Sequence, residues 1–308
     1  MATMVTTFDS SIKKTAGSVK ATPARPGFVN DPELKLDDFI RFRDFVHEKS
    51  GIYFPEGKLY LVKNRLANRM GQLGIKNYKD YYYMIKYDTS MKEFNALMNI
   101  LTTNETSFFR NLPQLTAFSD EVLPEILQGR AGRDRKSLRI WSAGCSTGEE
   151  PYTISMLLIE KISNYSAYDI EIIANDISEQ VLQAARKGVY HELSLRTTPS
   201  LYRDRYFEKK GNVYHIKDNV KKLVKFSHIN LADPVKMSLF INIDIIFCRN
   251  VTIYFSDEVK RAVTRAFYNC LVKGGYYFIG HSESLHGISR AFKLVYLKNG
   301  LVYKKEQI

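Results

Sequence analysis

From Leu138 onward, short apolar runs rich in β-branched and aromatic residues alternate with helical stretches. Leu138–Ser142, Ile170–Asn175, Val224–Ile229, Ile243–Cys248 and Gly275–Gly280 read as strands. A chain that alternates in this way builds a parallel sheet with helices on both faces, because each crossover lays its helix over the strands it joins. The helix after Ile243–Cys248 is the most sharply marked, with Ser256 as N-cap, Asp257 and Glu258 in its first turn and Gly274 expected at its end. Phe292–Leu297 and Leu301–Lys305, joined through Lys298-Asn299-Gly300, read as a closing hairpin. Arg205–Ile216 followed by Leu223–Phe226 is expected to form a small antiparallel β-subdomain, about residues 203–226, off the main sheet.

Ahead of this region the periodicity is helical. Phe39, Phe42 and Val46 share one face, with Gly51 and Pro55 as a stop; Leu59, Val62, Leu66, Met70 and Leu73 form a second stripe, and Phe94, Leu97, Met98 and Leu101 a third. Residues 1–34 carry no apolar period and read as a flexible tail, and Gly129–Lys136 as a basic linker. The expected division is a tail at 1–34, a helical domain at 35–112 and an α/β domain at 113–308. No apolar run approaches the roughly 18–20 residues of a bilayer span, so no membrane insertion is expected. Cys145, Cys248 and Cys270 make neither a disulfide framework nor a CxxC metal site, which points to a reducing cytoplasm and no metal. The net charge of +12 predicts an acidic partner, whether nucleic acid, anionic lipid or protein. Charge alone does not choose among them.

The stretch richest in chemistry is Ile140-Trp-Ser-Ala-Gly-Cys-Ser-Thr-Gly-Glu-Glu-Pro151, a strand, a glycine turn and a helix with Pro151 in its first turn. Such a junction lets a ligand approach the backbone beside the positive end of a helix dipole. The next strand ends in Asn175-Asp176, an acid placed to accept from a ribose diol; the plain alternatives are turn glycines and a helix N-cap. His228–Asp233 and Phe247–Phe255 end strands on the same sheet edge, so Asn230, Arg249, Asn250 and Tyr254 converge on that cleft. Gly144-Cys-Ser-Thr-Gly148 also matches the nucleophile elbow G-x-S-x-G, with Ser146, Asp244 and His281 as a triad in order. That fold needs several strands before the elbow, where this chain reads as helical.

Leu101-Thr-Thr-Asn-Glu-Thr-Ser-Phe-Phe-Arg110, Ser146-Thr-Gly-Glu-Glu-Pro-Tyr152, Cys248-Arg-Asn-Val-Thr-Ile-Tyr-Phe255 and Gly280-His-Ser-Glu-Ser284 resemble, in order, the motifs of the CheR family of chemotaxis-receptor glutamate methyltransferases. The resemblance spans about residues 36–305. It implies a helical N-terminal domain, a Rossmann-like class I methyltransferase sheet with an inserted antiparallel β-subdomain, and S-adenosylmethionine as cofactor. Carried over by position, the cofactor contacts are Asn104, Thr106, Arg110, Glu150 (or the adjacent Glu149), Asp176, Asn230, Leu231, Arg249 and Asn250. Arg110 and Tyr254 are similar to residues near the transferred methyl group. Gly144-Cys145 departs from the alanine-like residues common there. The implied reaction turns receptor glutamates into methyl esters, with S-adenosylhomocysteine as product. Lys63, Arg65 and Arg69 are left on the solvent side of their helix and are expected to bind the acidic methylation helices of the receptor's cytoplasmic domain. Some relatives grip a receptor C-terminal pentapeptide against a Gly-rich β-subdomain loop. Here that loop is only Glu208–Asn212, and the peptide is expected not to be required. A nucleic-acid methyltransferase would share the charge, but the chain has neither an N-P-P-[YF] segment nor a Pro-Cys nucleophile.

Overall fold

Four helices come first: α1 (Leu36–Ser50), α2 (Leu59–Leu73), α3 (Tyr78–Tyr87) and α4 (Lys92–Leu101). The computed structural model describes residues 33–129 and 137–306; the basic linker past Gly129 and the tail as far as residue 32 lie outside the described residues. Leu34, at the boundary expected for the tail, is buried in the helical core. α1 carries Asp37 and Asp38 in its first turn and closes on Gly51, whose left-handed backbone donates to the His47 carbonyl. α3 is capped by Asn77, whose side chain accepts from the Asp80 amide. Phe39, Phe42, Leu66, Tyr81 and Leu97 fill the space between the helices. Leu73, read as part of the α2 stripe, is instead exposed near the helix end.

After α5 (Leu112–Ala117), a π-turn at Phe118–Val122 and α6 (Leu123–Gln128), the chain runs β1 (Ser137–Ala143), α7 (Glu149–Lys161), β2 (Asp169–Asp176), α8 (Glu179–Lys187), β3 (Val189–His191), α9 (Ser200–Tyr206), β4 (Phe207–Lys210), β5 (Val213–Ile216) and α10 (Asp218–Lys221). It ends with β6 (Val224–His228), α11 (Pro234–Met237), β7 (Ile243–Cys248), α12 (Asp257–Cys270), β8 (Leu271–Ile279), β9 (Lys293–Leu297) and β10 (Gly300–Lys304). Seven strands form one sheet in the order β6-β2-β1-β7-β8-β10-β9. The five from β6 to β8 are parallel and the closing hairpin is antiparallel. Strand order reverses between β1 and β7, so the crevice beyond their carboxyl ends is where this architecture takes a ligand.

Two sequence expectations are corrected. The β-subdomain is a three-stranded sheet, β3-β5-β4, that starts at Val189. Val224–Phe226 is not part of it but pairs in parallel with β2 in the main sheet. The period-2 signal of the three-residue β3 was too short to read. Likewise α12 stops at Cys270 rather than Gly274, because the buried Leu271 passes directly into β8. Gly274 and Gly275 sit inside that strand, where the β7–β8 register shifts and a Cβ on Gly275 would come within 3.0 Å of the Asp244 carbonyl.

One apolar cluster runs unbroken from Phe39 and Leu97 in the helical unit to Trp141, Phe267 and Tyr277 on one face of the sheet, and a second covers the other face. The seam between helices and sheet is also joined by main chain. Ile52 and Phe255 form an antiparallel bridge, and the Tyr53 amide donates to the Tyr254 carbonyl at 2.8 Å. Gly51 fits here because a Cβ would lie 2.8 Å from Val259 and 2.9 Å from Ala232.

Candidate functional site

The glycine turn after β1 is clamped to the end of β2. The Asn175 carbonyl accepts from the Gly144 and Cys145 amides at 2.8 and 2.9 Å, and Asp176 Oδ2 accepts from the Ser146 amide at 2.9 Å. Asp176 Oδ1 accepts from Ser178 N at 2.9 Å. Three consecutive N–H groups are therefore spent inside the protein, and α7 begins with Glu149 and Glu150. This turn is not a phosphate cradle, which would offer those amides and the helix dipole to an anion. The space expected for close ligand approach at Gly144 is filled by Val251, 2.4 Å from where a Cβ would stand. The junction suits a nucleoside without phosphates.

A cavity beyond the carboxyl ends of β1, β2 and β7 encloses about 1020 Å³ including its open mouth. Asn104, Thr106, Arg110, Glu150 and Asp176 line it, as do Asn230, Leu231, Arg249, Asn250 and Tyr254. Glu149 does not. Its carboxylate turns under the loop to accept from Thr147 Oγ1 at 2.6 Å and Ser194 Oγ at 3.1 Å. Of the two adjacent glutamates, Glu150 is the one that lines the cavity.

Burial pushes the Glu150 and Asp176 carboxyls above the usual carboxylate range; Arg249 opposes this at Glu150, and backbone N–H groups oppose it at Asp176. Glu150 accepts from Ser142 Oγ at 2.7 Å and from Arg249 Nη1 at 3.2 Å. Arg249 also donates to the Arg110 carbonyl at 2.6 Å, while its buried Nε has no acceptor among the described residues. A buried guanidinium with an idle donor is a seat for a carboxylate, and Glu150 beside it is a seat for an ammonium group.

Asn104–Arg110 crosses from α4 to α5 over the cavity. Phe108 packs edge-on against Tyr190 and Phe207 with centroids 4.7 and 4.9 Å apart, and Phe109 lies 4.5 Å from Tyr202. These anchors hold Phe109 and Asn111 with positive φ, so Arg110 between them is presented at the mouth. Tyr254, half-buried, follows the left-handed Asn250, and its hydroxyl makes no hydrogen bond to the described residues. Asn230 lines the cavity, but its amide is engaged with the Lys49 carbonyl at 2.7 Å and the Ala232 amide at 2.9 Å.

Two sets of expected residues fall elsewhere. The hydrolase triad is not assembled: Asp244 lies near the start of β7 and accepts from the Arg139 amide, at the opposite edge of the sheet from Ser146, whose hydroxyl donates to the Asn104 carbonyl. On α2, Arg69 is not on an open face; it is half-buried and forms a fork with both oxygens of Glu93, which also accepts from Tyr81. Arg65, half-buried, donates to the Leu101 carbonyl, and Lys63 is half-buried as well. The stripe rule placed all three outward, but the long side chains of Arg65 and Arg69 fold back to reach acceptors on α4. The sequence reading missed Val251 over Gly144 and the lining residues Ser50, the last residue of α1, and Ile52 in the α1–α2 connection. Only the Gly51-x-x-x-Pro55 break hinted at that connection.

The model described as CheR methyltransferase, all-alpha domain, matches residues 37–102, and the one described as CheR methyltransferase, SAM binding domain, matches residues 104–301. The chain is 37% identical over 278 residues to Chemotaxis protein methyltransferase 2 of Vibrio cholerae, covering 90% of this chain and 96% of that protein. It is 36% identical to Chemotaxis protein methyltransferase 1 of Pseudomonas aeruginosa, covering 87% and 97%, and 34% identical to the Chemotaxis protein methyltransferase of Borreliella burgdorferi, covering 82% and 90%. The seven-stranded sheet, the preceding helical unit and the inserted three-stranded sheet are the parts that these matches span. On these matches the chain belongs to the CheR methyltransferase family and uses S-adenosylmethionine.

Proposed function

We propose that the chain methylates glutamate side chains on the cytoplasmic helices of a chemoreceptor, leaving glutamyl methyl esters. The observation that carries this reading is the pairing of Arg249 and Glu150 at the cavity floor with Arg110 and Tyr254 at its mouth. In this arrangement Arg249 holds the cofactor carboxylate, Glu150 its ammonium group and Asp176 its ribose, with Asn104, Thr106, Asn230, Leu231 and Asn250 shaping the remaining wall. The bound cofactor supplies a methyl group on a positively charged sulfur. A glutamate with an ordinary pKa near 4.3 is already ionised at neutral pH, so no residue has to take a proton. The protein's work is alignment and exclusion of water. The Tyr254 hydroxyl orients the incoming carboxylate. Arg110 holds substrate backbone or cofactor rather than the attacking oxygen, since a direct ion pair would blunt the nucleophile.

For the partner, the half-buried Lys63, Arg65 and Arg69 leave α2 positively charged, with Arg69 offset by Glu93 and Arg65 tied to the Leu101 carbonyl, and that charge complements acidic methylation helices. Receptor capture is independent of a C-terminal pentapeptide. Supporting this, β4 and β5 are joined by Gly211-Asn212 alone, a tight turn with no loop to form a peptide groove. The deciding measurement is transfer of radiolabel from the cofactor to a receptor cytoplasmic fragment. Label released as methanol by mild base supports the ester; label that survives base refutes it. Micromolar calorimetric binding of a receptor C-terminal pentapeptide would refute the tether-free reading.

A further inference from the structure

The segment Gly280–Ser284 has no part in the cavity lining, yet one of its side chains is wired into the loop that is. Glu283 Oε2 accepts from the Gly280 amide at 2.6 Å and from the Asn250 amide at 2.7 Å, and Oε1 accepts from Thr252 Oγ1 at 2.7 Å. Asn250 is held at φ +60°, the left-handed region that asparagine enters more readily than most side-chain-bearing residues, and the Glu283 carboxylate accepts its amide there. Gly280 makes the contact possible: a Cβ there would stand 2.5 Å from Glu283 Oε2 and 2.8 Å from the Asn250 amide. The carboxylate thus grips the loop on both sides of Val251, immediately after Arg249 and two residues before Tyr254.

We infer that Glu283 is a positioning residue for methyl transfer: as a hydrogen-bond acceptor it fixes the Asn250–Thr252 backbone, and through it sets Arg249 against the cofactor and Tyr254 against the substrate. The inference rests on the reading of the cavity as the methyl-transfer site. Its chemistry requires acceptor oxygens at a set reach more than it requires charge. Glutamine keeps one oxygen for the two amides and offers its NH₂ to the Thr252 hydroxyl, which can also accept. Aspartate keeps the charge but falls one methylene short.

The test uses the full chain with S-adenosylmethionine and a receptor fragment, reading kcat, calorimetric cofactor affinity and thermal unfolding for Glu283→Ala, Glu283→Gln and Glu283→Asp. The expectation is a fall in kcat of about 100-fold for Glu283→Ala, the scale of an ångström of misplacement, with weaker cofactor binding. Glu283→Gln should recover to within about tenfold of wild type while Glu283→Asp does not, this order being what an acceptor of fixed reach predicts. The inference is overturned if Glu283→Ala keeps kcat within a few-fold of wild type. It is equally overturned if Glu283→Asp outperforms Glu283→Gln, an order that also decides the matter should Glu283→Ala not fold. A wild-type chain that binds no cofactor would instead overturn the reading of the cavity.

Discussion

Replacing Asp176 with alanine tests two duties of one carboxylate. It accepts from the Ser146 and Ser178 amides, both at 2.9 Å, so its loss orphans two N–H groups at a buried position. An unsatisfied buried donor costs about 1–3 kcal/mol, which gives about 2–6 kcal/mol for two. The burial cost that pushes this carboxyl upward disappears with it, so the lower part of that range, about 2–4 kcal/mol, is expected. At roughly 2–4 °C per kcal/mol for chains of a few hundred residues, melting should fall by about 4–16 °C. Losing the ribose contact should separately weaken cofactor binding by about 1–3 kcal/mol, roughly 5- to 150-fold. Calorimetry well below the variant's transition, alongside a thermal scan, separates the two. A variant that melts with wild type refutes the loop anchor. One that melts early yet binds cofactor with unchanged affinity removes the ribose role.

Tyr254→Phe should lower kcat about tenfold, the scale of one lost hydrogen bond, while cofactor affinity stays; a wild-type rate that keeps climbing with pH above neutrality would contradict a mechanism without a base. Lys63→Glu is expected to raise the receptor KM, and Arg69→Glu should both raise it and lower the melting temperature, because it replaces the fork to Glu93 with repulsion; an Arg69→Glu variant that melts with wild type would remove the structural role of that fork. Burial holds the folded Glu149 pKa above its ordinary value, so the folded state keeps that proton to higher pH than the unfolded chain, and stability drains away as pH rises from the ordinary carboxylate range through the raised value. Glu149→Gln escapes this, so its stability relative to wild type should grow over that pH interval; a constant difference in chemical denaturation would refute the assignment.

The β/α alternation was legible because buried parallel strands read as unbroken apolar runs, and the cleft followed from where those runs end. The assignment of Asp176, Arg249 and Tyr254 to one cavity needed only that topology and the motif order. What could not be read depended on side-chain reach. Glu149 and Glu150 are adjacent and identical in type, and only the helix phase sends one into the cavity and the other under the loop. Arg69 lies off the apolar stripe of α2, but its partner Glu93 sits on a different helix, 24 residues away. Gly144 announced a close approach without saying that Val251, from a loop more than 100 residues later, would make it. Gly274 was read as a helix stop, although a bulge in a strand calls for the same backbone freedom.

The bridge between Ile52 and Phe255 bears on how such enzymes diversify. Main-chain pairing survives most replacements of the side chains that flank it, so the exposed surfaces of α1 to α3 can drift toward a new acidic partner without loosening the wall beside Tyr254. Exchange of the whole helical unit between relatives is a harsher operation. A transplanted unit must bring its own Ser50–Phe54 segment, with a glycine at the point where Val259 and Ala232 leave no room, or the recipient inherits new specificity with a breached transfer chamber.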